Sequence, residues 1–177
     1  GAPFHLKYIS LDNGSVGNRD NQISPGAVVP PGYILVDKVT DPSGDPTSFT
    51  FTPSYGSSFS LKDADPPNDS GPLLPGTYSV SETVPTGWDL ASAACNDTSP
   101  VNAIGLAAGE VVKCTFTDTQ RGKIIVDKVT DPSGSSQVFE FSGSFSFTLT
   151  DAAAPFDSGR MVPGTYTPVE TVPAGWD

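Results

Sequence analysis

Three ionisable side chains fall on stripes that are otherwise apolar: Lys38, Glu82 and Asp118. In Tyr33–Thr40 (YILVDKVT) a period of two puts Ile34, Val36 and Lys38 on one face. The same alternation groups Tyr78, Val80 and Glu82 within Leu74–Trp88 (LPGTYSVSETVPTGW), and Val112, Cys114, Phe116 and Asp118 within Glu110–Thr119 (EVVKCTFTDT). Each stripe faces a core, so each charge points inward. An ion buried without partners costs several kcal/mol even after relaxation, so one amine and two carboxyls from distant strands are expected to meet. Held together out of water, an amine and a carboxyl either stay an ion cluster or condense to an amide.

The elements that must position them occur twice. Leu74–Trp88 returns as Val162–Trp176 (VPGTYTPVETVPAGW), and YILVDKVT returns as Lys123–Thr130 (KIIVDKVT), both copies of the latter continuing as DPSG. Lys128 and Glu170 are thereby the second copies of Lys38 and Glu82, with the intervening segment two residues shorter. A repeat of this length marks tandem domains, not a solenoid. The expected boundaries are 1–32 for an N-terminal strand and linker, 33–121 for the first domain and 122–177 for the second. Aromatic-bearing strands are expected at Phe49–Thr52 and Phe59–Lys62, matched by Phe139–Ser142 and Phe145–Thr150. Asp63–Gly71 and Asp151–Gly159 read as turns, Asp12–Gln22 as a polar loop, and the stretch between Trp88 and Glu110 as another. Phe4–Leu11 (FHLKYISL) has strand composition with an alternation that slips midway.

Composition limits the function. With 18 Gly and 18 Pro in 177 residues and no long helical spacing of apolar residues, the chain reads as short strands joined by tight turns. A formal charge of −11 argues against nucleic acid or an anionic membrane as partner, since both need basic surface. No apolar run is long enough to span a bilayer. A single histidine, His5, with no metal-ligand spacing and no nucleophile elbow, gives no expectation of an enzyme, a cofactor or a metal. Cys95 and Cys114 lie in one repeat with no histidine near them, and read as a disulfide made in an oxidising compartment; two buried thiols are the alternative. Asn13, Asn68 and Asn96 each begin a glycosylation triplet in a loop context.

The order of these pieces resembles the prealbumin-like, Cna protein B-type domains of bacterial surface proteins and pilins, over Tyr33–Gln120 and again over Gly122–Asp177. The matching features are the first strand ending in lysine (VDKVTD), a segment like the pilin E-box (GTYSVSETVPTGW) and the last strand CTFTDT. The resemblance implies an all-β fold of two tandem immunoglobulin-like sandwiches with an N-terminal extended segment. It also implies an intramolecular isopeptide bond, with Lys38 as nucleophile, Asp118 as acceptor and Glu82 as proton shuttle. Pilin members mostly carry Asn at the acceptor position, so Asp118 departs from them and would release water instead of ammonia. The chemistry is consistent on its own terms. Burial disfavours charge on both partners, contact makes the attack effectively unimolecular, and a third acid can relay the proton.

The counterpart of Leu90–Asp118 is expected after Asp177, which leaves Lys128 and Glu170 without an acceptor and a sheet without its last strand. Aligning YISLDN with KCTFTD sets Ile9, Leu11 and Asn13 at the positions of Cys114, Phe116 and Asp118. The N-terminal strand of a neighbouring copy is therefore a candidate donor, with Asn13 an interchain acceptor for Lys128 in a head-to-tail homopolymer. A longer tandem array of complete domains is the alternative. The expected function is a structural subunit of an extracellular, cell-surface fibre or pilus; the competing expectation is a stalk or ligand-binding module of a larger adhesin.

Overall fold

The computed structural model describes residues 4–7, 20–23 and 29–176. Every regular element among them is a strand, and none is a helix long and apolar enough to cross a membrane. The first two strands, β1 (Phe4–Lys7) and β2 (Asp20–Ile23), pair antiparallel with Phe4 opposite Ile23. Part of the expected polar loop is thus a strand: DNQI has no apolar alternation, but its backbone groups can be satisfied by a neighbour all the same.

The first unit contains β3 (Tyr33–Asp41), β4 (Phe49–Pro53), β5 (Phe59–Leu61), β6 (Asn68–Asp69), β7 (Gly76–Tyr78), β8 (Val80–Thr83), β9 (Trp88–Cys95), β10 (Ile104–Leu106) and β11 (Val111–Gln120). One sheet has the order β6-β3-β11-β9, a second β5-β4-β8, and β10 pairs with β7. The long first and last strands, β3 and β11, lie parallel, with Val112 beside Ile34, Cys114 beside Val36 and Phe116 beside Lys38. Their inward faces meet Phe49, Phe51, Leu61 and Val80 of the second sheet in one core, which also takes in Trp88, Ile104 and Leu106. Phe51 packs edge-on against Phe116 at 5.2 Å between ring centroids, joining the layers.

The structure departs from the sequence pattern at three segments. The segment Leu74–Trp88 holds two strands, not one: β7 pairs with β10 and β8 with β4, so the chain changes sheets at Ser79. The stretch after Trp88 is not loop throughout, because Ile104–Leu106 forms β10 and Trp88–Cys95 forms β9 against β11. Its sequence, WDLASAAC, hides this: small residues on an exposed face give no alternation to read, and the backbone ladder with β11 makes it a strand. Asn68–Asp69, read as turn, closes the sheet beside β3.

The second unit contains β12 (Ile125–Val126), β13 (Phe139–Gly143), β14 (Phe147–Leu149), β15 (Phe156–Asp157) and β16 (Pro168–Thr171). These match β3, β4, β5, β6 and β8 in order and pairing. Its core is a small cluster of Phe139, Phe141 and Leu149, with Trp176 packed against it.

Candidate functional site

The parallel register of β3 and β11 sets the site. Lys38 lies beside Phe116, and Asp118 is one step further along the same face, so the lysine side chain reaches diagonally to the carboxyl. The β11–β9 ladder skips Ala91 between Thr117 and Asp118, a bulge at the acid itself. From the facing sheet β8 supplies Glu82, directly opposite Phe51 on β4. The three side chains expected from sequence to converge do converge.

All three are buried: side-chain exposure is 0% for Lys38, 0% for Asp118 and 1% for Glu82. The Lys38 amine donates to Asp118 Oδ2 in close contact. It also donates to the carbonyls of Val39 at 3.2 Å and Phe116 at 3.4 Å, and lies over the Phe49 ring, 4.0 Å from its centroid. Glu82 Oε1 is 3.3 Å from the amine. Among the described residues, neither Glu82 oxygen nor Asp118 Oδ1 has a hydrogen-bond partner. Two full negative charges with three unsatisfied oxygens in such a place would be costly, which favours a neutral carboxyl. Burial pushes the Glu82 carboxyl up to about 7, against the pull of the lysine charge and with the help of the Asp118 carboxyl. At neutral pH a large part of Glu82 therefore carries a proton, beside an amine and a carboxyl in contact.

Cys95 and Cys114 stand opposite each other on β9 and β11 and form a disulfide. It fastens the strand that carries Asp118 to its outer neighbour.

In the second unit Lys128 and Glu170 also meet, with Nζ 2.7 Å from Oε1, and the amine lies 3.9 Å from the centroid of Phe139, as Lys38 does from Phe49. The cluster stops there. Side-chain exposures rise to 16% for Lys128 and 29% for Glu170, and among the described residues no strand runs beside them where β11 runs in the first unit. Asn13, the candidate interchain acceptor, lies outside the described residues.

One part of the site was missed in the sequence. The DPSG segment after each lysine strand is clamped by an aspartate from the turn that follows β5 or β14. Asp63 accepts from the Thr40 N–H at 2.6 Å and from the Gly44 N–H, and Asp151 accepts from the Thr130 N–H at 2.9 Å and from the Gly134 N–H. These backbone donors, the glycine first, hold both carboxyls below the usual carboxylate range. The signal was available, since both acids occupy the same step of the repeat, LKD and LTD. An exposed aspartate in a turn gives no other reason to be singled out.

Residues 34–120 match the model of a family described as a prealbumin-like fold domain, so the first unit is a prealbumin-like domain and carries the buried cluster inside the matched span. The solved structure titled "The Bacillus anthracis TIE protein" is similar to this chain at 19% identity and a TM-score of 0.38; the alignment covers 90% of this chain and 34% of that one. No curated protein matches.

Proposed function

We propose that this chain is a structural subunit of an extracellular surface fibre or pilus, and that its first unit is closed by an isopeptide bond between Lys38 and Asp118. The observation that carries the reading is the fully buried contact of the Lys38 amine with the Asp118 carboxyl, Glu82 alongside at 3.3 Å. In the reaction the neutral amine attacks Asp118 Cγ, and a C–N bond forms. Protonated Glu82 gives its proton to the departing hydroxyl as the C–O bond breaks and water leaves, and then takes one from the nitrogen, which restores its own proton. Two buried polar groups that need partners are replaced by one amide.

The placement suits a load-bearing element. The unit is entered at the start of β3 and left at the end of β11, and these strands are parallel neighbours. A Lys38–Asp118 bond joins them covalently, so tension passes across the bond and the intervening residues carry none of it. Intact mass under reducing conditions tests this: a deficit of one water is expected, lost in Glu82→Gln, Lys38→Ala and Asp118→Ala. A wild-type chain at full mass would sink the bond.

The open edge of the second unit is filled, in this reading, by a parallel strand laid along Lys123–Thr130. Residues 8–13 of a neighbouring copy are the candidate, presenting Asn13 to Lys128. Boiling in SDS with reductant discriminates. A ladder abolished by Asn13→Ala supports linkage between chains, and a single band for the wild type leaves only the intramolecular bond.

A further inference from the structure

The turn that follows Glu82 and Glu170 occurs twice, with one conformation and two surroundings. Gly87 has φ 94° and Gly175 φ 91°. In each turn the next residue's N–H donates to the turn proline at 3.2 Å, from Trp88 to Pro85 and from Trp176 to Pro173. Trp88 packs edge-on against Phe49 at 5.3 Å, and Trp176 against Phe139 at 5.1 Å. Both turns are therefore formed and anchored. Yet Gly87 is buried and Gly175 is exposed.

Gly87 is covered by Arg160 of the second unit, beside Arg121, the last residue of the first. The Arg160 guanidinium lies on the bare Cα, where any Cβ would overlap it. Arg121 donates its backbone N–H to the Gly87 carbonyl at 2.8 Å, while its guanidinium grips Asp89, with Nε 2.7 Å from Oδ2. Arg121 and Arg160 are held near each other because Gly122 bridges Met161. The same bridge exists at the entrance of the first unit, between Gly32 and Leu73, so the two entrances align residue by residue. There Pro31 stands at the Arg121 position and Pro72 at the Arg160 position. Both cations of the clamp are replaced by residues that cannot donate.

We propose that the Pro-x-Gly-Trp-Asp turn is a docking surface for a following module of this fold, and that an arginine pair at the positions of Arg121 and Arg160 marks a module able to dock. The exposed turn at Pro173–Trp176, followed in sequence by Asp177 as Trp88 is by Asp89, takes a module of the second kind. It does not take the first unit of another copy, which has prolines at both positions. Copies joined head to tail by a donor strand would meet at this turn without the clamp. The proposal does not depend on the isopeptide bond.

The test has two arms. In the full chain, residual dipolar couplings of the two units should fit one alignment tensor, and Arg160→Ala should split it into two; Arg160 is exposed, so folding is not at risk. In a chain extended after Trp176 by a second copy of residues 89–177, the Gly175 amide and Trp176 indole signals should move to the positions of Gly87 and Trp88. Changing the added copy's arginine at the Arg160 position to proline should move the Gly175 amide part of the way back, because the added strands and the arginine at the Arg121 position remain. A single tensor retained in Arg160→Ala, or Gly175 signals indifferent to arginine or proline, would overturn the proposal.

Discussion

The peptide VDKVTDPSG occurs at Val36–Gly44 and at Val126–Gly134, and it does different things in the two places. In the first unit it belongs to a nine-residue strand with Lys38 sealed in the core. In the second the strand is two residues long and Lys128 is partly exposed. Propensity is identical, so the difference lies in the neighbour: β3 has β11 along its whole length, and among the described residues β12 has only β15. A strand is as long as the ladder that satisfies it. The local parts of the site do not need that ladder, since the Lys128–Glu170 pair, the ring of Phe139 and the Asp151 clamp form without it. The ladder supplies Asp118 and the exclusion of water.

The largest expected break in this comparison comes from removing the amine. Lys38→Ala leaves two acids buried without their cation and should cost the first unit about 3–5 kcal/mol, beyond the lost cross-link. Lys128→Ala should cost below about 1 kcal/mol, as for an exposed pair. Urea denaturation of each variant checks it, and equal losses in the two units would refute the contrast. Next in size, Cys95→Ser with Cys114→Ser should destabilise the first unit by about 3 kcal/mol, from the chain entropy of a loop this long. A calorimetric scan with and without reductant should show the wild type shifting and the double variant unmoved.

A smaller effect sharpens the role of Glu82. Its folded value of about 7 lies above the ordinary 4.5, so the unreacted folded state binds the proton more tightly than the unfolded chain does. The resulting stability is full below about pH 4.5 and fades as pH rises through about 7. Bond formation in chain refolded from denaturant, followed by mass, should slow as pH rises past about 7. A rate that climbs steadily through that range would remove Glu82 as the acid. Smallest of all, Asp63→Ala and Asp151→Ala should speed amide exchange at Gly44 and Gly134 by the same factor, because the clamp is the same in both units.

What could be read beforehand follows from where the information sits. Lys38, Glu82 and Asp118 were legible because each interrupts an apolar stripe of period two, and their convergence follows from the cost of an unpaired buried charge. Trp88–Cys95 was not legible, since Ala and Ser facing outward leave no periodicity. Nor was the change of sheet at Ser79, where an unbroken alternation conceals that β7 and β8 answer to different partners. The covering of Gly87 by Arg160 joins residues from separate repeats, and neither segment shows it alone.

The sequence by itself determined the duplication, the turns and the identity of the inward charges, because these depend on side-chain type and spacing along a few consecutive residues. Only the tertiary structure decided how long each strand runs, which lysine is sealed from water and which glycine turn is covered. Those outcomes belong to pairs of segments far apart in the chain, and a strand's unsatisfied backbone takes its state from whatever lies beside it.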